Sequence, residues 1–134
     1  MTSSPAIRQA QTLIGESEHL VIVYPLWLGS MPALLKGFLE QVFRPGFAID
    51  FGKHTFMPGK LTGKSARVIV TMGMPAVIYR WFFMAHSLMS LERNILRFVG
   101  LKPIRHNIIG NIEGSPAARQ KWLDRIREFG KRGI

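Results

Sequence analysis

The sequence predicts an α/β fold in which layers of helices cover a parallel β-sheet. The run at 20–24 is apolar and largely β-branched without interruption, as expected for a strand that is covered on both faces. Strands and helices then alternate in the order α-β-α-β-α-β-α, which is typical of parallel sheets with right-handed crossovers. With 134 residues the chain is expected to form one domain, 1–134, with a single core.

The first predicted element is a helix. Ser3 or Ser4 can cap it, Pro5 suits its first turn, and the pattern ends near Gly15. The strand at 20–24 follows directly.

A second helix is predicted at 32–43, and Pro32 suits its first turn, where a missing N–H costs nothing. Residues 44–63 contain several prolines and glycines, so an irregular connection is expected there. The apolar residues of the helix recur at helical spacing and form one stripe: Leu34, Leu35, Phe38, Leu39 and Val42.

The second half continues the alternation. Strands are predicted at 66–71 and 104–109, and the first of these is expected at the centre of a three-stranded sheet. A helix is predicted over 81–98, before Gly100. A final helix starts at 115–116, with Ser and Pro in the first positions, and runs through Phe129.

The composition argues against several classes of protein. The chain has no cysteine, so it forms neither disulfides nor thiolate metal sites. His19, His54 and His106 fall on separate predicted elements without acidic partners at ligand spacing, so no metal site is expected. The net charge of +10 is spread along the chain without a DNA-binding motif, which makes nucleic-acid binding a weak alternative.

The sequence also gives an expectation for location. Residues 1–16 lack the apolar core of a signal peptide. The most hydrophobic stretch, 72–89, carries Arg80 and is interrupted by Gly73 and Pro75, so it does not match a membrane span. We therefore expect a soluble, cytoplasmic protein.

Two segments are candidates for a ligand site because each follows a predicted strand. Loops at the carboxyl ends of parallel strands hold the ligands of open α/β sheets. The first segment offers a large aromatic ring, and the backbone amides of residues 27–30 are expected to be free. The second segment consists of Thr71, Met72 and Gly73. The candidate residues of the first segment are Pro25, Leu26, Trp27, Leu28, Gly29 and Ser30.

The same segments resemble a known family. Pro-Leu-Trp-x-Gly-Ser-Met-Pro-Ala-x-x-Lys-Gly from Pro25, with Arg-Pro-Gly-Phe-Ala at 44–48, is similar to the flavodoxin-like NAD(P)H:quinone oxidoreductases, the quinone-reductase and modulator-of-drug-activity group. A second block, Val-Thr-Met-Gly-Met-Pro at 70–75, falls where that family has its second flavin loop. The resemblance extends from about residue 5 to the last helix.

The resemblance implies a flavodoxin-like three-layer fold and an enzyme with FMN as cofactor, or FAD as the second choice. NAD(P)H would be the co-substrate, and hydride would pass through the flavin to a quinone. Tyr79 and His86 resemble the catalytic Tyr and His of the better-known members. The family also implies a homodimer.

The chain departs from the family at its start. It opens with what resembles the family's second helix, so the family's first two strands, first helix and phosphate loop have no counterpart here, and about three strands are expected. The strand at 20–24 would then be an exposed edge, covered by a second copy or belonging to a fragment of a longer protein. The alternative function is therefore a non-catalytic truncated paralogue or an interaction subunit.

Overall fold

The protein alternates helices and strands as predicted. The computed structural model describes residues 3–52 and 59–134. The helices are α1 (Pro5–Glu16), α2 (Ala33–Val42), α3 (Ala76–Trp81), α4 (His86–Ser90) and α5 (Pro116–Arg132), with a π-helical segment at Leu91–Leu96. The strands are β1 (His19–Pro25), β2 (Ser65–Thr71) and β3 (Ile104–Ile109).

The three strands form one parallel sheet in the order β1-β2-β3, so the predictions of parallel pairing and of a central second strand are confirmed. Tyr24 is aligned with Val70, and Val70 with Ile108. Because side chains alternate between the two faces of a strand, these three lie on the same face of the sheet. That face carries the hydrophobic core.

The core lies between this face and the helical layer formed by α2, α4 and the π-helical segment. Fully buried side chains from these elements pack with the sheet: Val42, Leu88, Leu91 and Leu96. On the opposite face, the guanidinium of Arg67 in β2 stacks on the Phe129 ring of α5 at 3.9 Å. Helices therefore lie on both faces, as predicted.

The predicted starts of the first and last helices are confirmed by their caps. The Ser4 side chain accepts a hydrogen bond from the Ile7 amide at the start of α1. The Ser115 side chain accepts one from the Ala118 amide at the start of α5. Each cap satisfies one of the amides that a helix start leaves without an internal partner.

The helix predicted over 81–98 is confirmed from His86 to Leu96, where α4 continues directly into the π-helical segment, but its predicted start is wrong. α3 ends at Trp81, and between α3 and α4 Met84 and Ala85 adopt left-handed backbone angles, with φ of 56° and 45°. The Tyr79 hydroxyl accepts a hydrogen bond from the Leu88 amide at 3.2 Å, which satisfies a donor at the start of α4. This contact spans the break, so the apolar spacing of the sequence does not reveal it.

The surface carries several large apolar side chains. Trp81, Phe82 and Met84 follow one another around the end of α3, and Phe82 is 78% exposed. Val21 and Val23 of β1 are also exposed, on the sheet face that carries α5. None of the helices in the described ranges is long and apolar enough to cross a membrane.

Two buried tyrosines allow a matched test of this packing. Tyr79 is 1% exposed and its hydroxyl is bonded to Ser87 and to the Leu88 amide, whereas Tyr24 is 2% exposed and its hydroxyl has no partner among the described residues. We expect Tyr79→Phe to lower the free energy of unfolding by about 1–2 kcal/mol, because two buried polar groups lose their partner. Tyr24→Phe should leave it unchanged or raise it by about 1 kcal/mol, because a buried unpaired hydroxyl is removed.

Urea denaturation of both variants and of the parent protein measures the change in the free energy of unfolding that each substitution causes. Equal losses in the two variants would contradict the role assigned to the Tyr79 hydroxyl.

Candidate functional site

Three loops meet at the carboxyl edge of the sheet, at 26–32, 72–75 and 110–115. Main-chain hydrogen bonds join them. The Leu26 amide donates to the Thr71 carbonyl at 2.8 Å, and the Ile112 amide donates to the Met72 carbonyl at 3.0 Å. The Asn111 amide donates to the Met74 carbonyl at 3.0 Å. The two candidate segments of the sequence are therefore neighbours, and a third loop that the sequence did not indicate supports them.

The first loop is a tight hairpin turn. The Trp27 amide donates to the Ser30 carbonyl at 2.9 Å, and the Ser30 amide donates to the Trp27 carbonyl at 3.0 Å. Leu28 and Gly29 at its tip have φ of 48° and 77°. The sequence indicated free amides throughout 27–30, but two of them are used inside the turn. The Leu28 and Gly29 amides have no acceptor among the described residues.

Side chains of this loop have different surroundings. Trp27 is 62% exposed, so most of its ring is available to a ligand. Leu28 is fully exposed, and Pro25 at the end of β1 is exposed as well. Leu26 is partly buried and packs against the core, which anchors the base of the turn.

The second loop presents main chain rather than side chains. Met72 is buried, and its amide donates to the Ile109 carbonyl at 2.9 Å. The Gly73 and Met74 amides have no acceptor in the described part of the chain. No heavy atom lies within 4 Å of where a Gly73 side chain would begin, so this backbone is open to approach.

Gly110 allows the third loop to press against the second. A Cβ at this position would lie 2.2 Å from the Ala76 nitrogen and 2.7 Å from the Met74 oxygen. Real Cβ atoms do not approach main chain so closely, so any other residue would displace the second loop. In the sequence, this close approach of the two loops is indicated only by a glycine directly after the third strand.

Tyr79 and His86 lie on either side of the break between α3 and α4. The buried Tyr79 hydroxyl is 2.5 Å from the Ser87 hydroxyl. His86 is exposed, and its Nδ1 lies 2.8 Å from the Phe83 carbonyl oxygen. Because a carbonyl oxygen only accepts, Nδ1 carries the proton and Nε2 faces away from that bond. The catalytic roles given to both residues stay predictions.

The histidines do not form a metal cluster in the described ranges. His106 contacts the buried Glu92 at 2.6 Å, a pairing between β3 and the π-helical segment that sequence spacing does not indicate. No group of three or more His, Asp or Glu side chains is arranged to hold a metal ion among residues 3–52 and 59–134. His54 lies outside the described residues.

Comparison with known proteins identifies the fold. A family model described as the flavodoxin-like fold matches residues 2–131. Human ribosyldihydronicotinamide dehydrogenase (quinone) is 32% identical over 139 residues, which cover 93% of this chain and 58% of that protein. The chain spans between 24% and 58% of the length of the curated relatives it matches.

Comparison with solved structures identifies the same fold. An NAD(P)H:quinone oxidoreductase from Methanothermobacter marburgensis superposes with a TM-score of 0.81 and 26% identity, covering 97% of this chain and 64% of that chain. An FMN-dependent NADH-azoreductase from Bacillus anthracis, solved in complex with FMN, has a TM-score of 0.76 and covers 95% of this chain and 61% of that chain. At 15% identity, the second likeness concerns the fold alone.

The turn at Leu28 yields a prediction. A leucine with positive φ is strained, whereas asparagine followed by glycine suits a hairpin turn of this kind. We expect Leu28→Asn to raise the free energy of unfolding by about 0.5–1 kcal/mol. The control is Leu123→Asn, at an exposed position inside α5, which should lower it by about 0.5 kcal/mol because asparagine is a poor helix former.

Chemical denaturation of both variants and the parent measures whether each substitution raises or lowers the free energy of unfolding. A loss of stability in Leu28→Asn would contradict the turn geometry.

Proposed function

The chain belongs to the family of the flavodoxin-like fold, and from this premise we propose that it acts as a flavin-dependent NAD(P)H:quinone oxidoreductase. One observation carries the proposal: an exposed indole and unused main-chain donors meet at the carboxyl edge of a parallel sheet, where such folds bind ligands. The names of the human relative and of the protein from Methanothermobacter marburgensis support the enzyme over the non-catalytic alternative.

The residues at this edge fit the ring of FMN. The free amides of the first two loops, at Leu28, Gly29, Gly73 and Met74, can donate to the polar atoms along one edge of a flavin ring. The Trp27 ring offers a flat apolar surface for its face. When bound, FMN supplies the hydride chemistry, and the chain supplies position and electrostatics. FAD stays the second choice.

The two predicted catalytic residues would act differently. Tyr79 is buried, so we propose it as a positioning residue that holds the start of α4 through Ser87 and the Leu88 amide. His86 begins α4, is exposed, and has Nε2 available, so it can hold or release a proton beside a ligand. Histidine is the side chain best suited to proton transfer near neutral pH.

We also propose that the protein functions as a homodimer, because the exposed apolar surface at 81–84 adjoins the start of α4, where His86 lies. A self-complementary patch closes with two-fold symmetry, and large exposed apolar patches mark interaction sites. The cytoplasmic location expected from the sequence stays a prediction.

Flavin binding tests the proposal directly. We expect FMN to bind with a dissociation constant in the micromolar range or weaker, because the three loops at 26–32, 72–75 and 110–115 contain no lysine or arginine for a phosphate. Gly110→Ala should weaken binding at least tenfold, because the added carbon displaces the second loop. Gly130→Ala in α5, away from the three loops and also with open space around the added carbon, should change it less than threefold.

Quenching of flavin fluorescence in a titration measures the constants, and oxidation of NADH with a soluble naphthoquinone measures activity. Absence of flavin binding at millimolar FMN would refute the proposed cofactor. Binding without quinone-dependent NADH oxidation would refute the reaction but leave the cofactor.

Self-association is tested by sedimentation. We expect a dimer at micromolar concentration whose dissociation constant rises at least tenfold in Phe82→Gln, because an anchoring aromatic is lost. The control is Leu123→Gln, an equally apolar exposed position on α5, which should leave the dimer intact. A parent protein that sediments as a monomer would contradict the proposed dimer.

A further inference from the structure

A cluster of basic side chains lies on the sheet face that α5 covers, away from the three loops. It consists of Arg67 in β2, Arg105 in β3 and Arg125 in α5, joined by His19 at the start of β1. Arg67 and Arg105 are directly aligned on neighbouring strands, so their side chains leave the same face. Arg67 and Arg105 therefore share the sheet face on which α5 packs, and α5 itself carries Arg125.

Arg67 is the fixed centre of the cluster. It is only 5% exposed. Its Nε donates to the main-chain oxygen of Ile134 at 2.9 Å, and Nη1 donates to the Asn107 side-chain oxygen at 2.6 Å. The guanidinium stacks on the Phe129 ring. Its Nη2 has no acceptor in the described part of the chain.

The other two arginines are exposed and are not neutralised. The guanidinium of Arg125 lies 5.1 Å from the Trp122 ring centre and 5.8 Å from that of Phe129. Within the described ranges, the four ion pairs involve other side chains: Lys36–Glu40, His106–Glu92, Arg127–Asp124 and Lys131–Glu128.

Burial of Arg67 lowers its pKa, and the positive charges of Arg105 and Arg125 lower that pKa further.

His19 completes the cluster on the β1 side. Its Nδ1 lies 2.7 Å from the Ser65 hydroxyl, and Nε2 is buried without a partner among the described residues. Burial lowers the pKa of His19, and the positive charges of Arg67 and Arg105 lower it further. A buried polar atom without a partner is costly and calls for a ligand, a water or an ion.

We propose that Arg67, Arg105 and Arg125, with His19, form a binding site for a phosphate-type oxyanion. Like charges that converge on one face destabilise the fold, and a multivalent anion would remove the repulsion. Planar guanidinium groups match the oxygens of phosphate with paired hydrogen bonds.

The site is separate from the proposed flavin site. Arg67 precedes Thr71 by four residues in β2, which is about 13 Å along the strand. The anion is either free inorganic phosphate or pyrophosphate, or the diphosphate of a nucleotide.

The test measures binding of inorganic phosphate, pyrophosphate and ADP to the full chain by calorimetry, at constant ionic strength set with sodium chloride. We expect pyrophosphate to bind, and Arg105→Gln and Arg125→Gln each to weaken it about tenfold. Arg127→Gln on the same helix removes the same charge from a residue paired with Asp124, and should leave binding within threefold. ADP binding tenfold tighter than pyrophosphate identifies a nucleotide diphosphate, and equal binding identifies the inorganic anion.

A second readout is independent of affinity. NMR titration should show that pyrophosphate raises the pKa of His19, whereas the chemical shifts of the His86 ring should not respond to pyrophosphate. The proposal is overturned if pyrophosphate does not bind at millimolar concentration, if Arg127→Gln weakens binding as much as Arg105→Gln, or if the anion does not move the His19 titration.

Discussion

Parallel pairing of β2 with a strand on each side is the constraint on which the other features depend. Because all three strands run the same way, their carboxyl ends meet at one edge, and the three loops exchange main-chain hydrogen bonds there. Side chains of β2 alternate between the two faces of this sheet. Ala66, Val68 and Val70 face the core, and Arg67 faces α5.

The alternation of strands and helices could be predicted from the sequence because it depends on local patterns. Uninterrupted apolar runs mark the strands, and Ser4 and Ser115 cap helices through hydrogen bonds to amides three residues away. The break at Met84 and Ala85 could not be predicted in this way. It depends on a hydrogen bond that the Leu88 amide donates to the Tyr79 hydroxyl, nine residues earlier in the chain.

The meeting of the first two loops at one edge of the sheet could be predicted, but the backbone details of those loops could not. Two strand ends indicated the first two loops, and the family resemblance indicated the same residues. The pairing of Trp27 with Ser30 inside the turn and the close approach at Gly110 depend on backbone geometry that residue types alone do not specify. The arginine cluster was hidden for a similar reason, since Arg67 and Arg105 become neighbours only through strand register.

The register of β1 has a consequence for the emergence of this protein from the ribosome. His19 pairs with Ser65, 46 residues later in the chain, so the pairing of β1 with β2 cannot form until β2 has been synthesised. At typical rates of about 5–20 residues per second, this interval lasts about 2–9 s. Throughout that time the apolar run from Leu20 to Val23 lacks its β2 neighbour, and molecular chaperones have their longest opportunity to bind it.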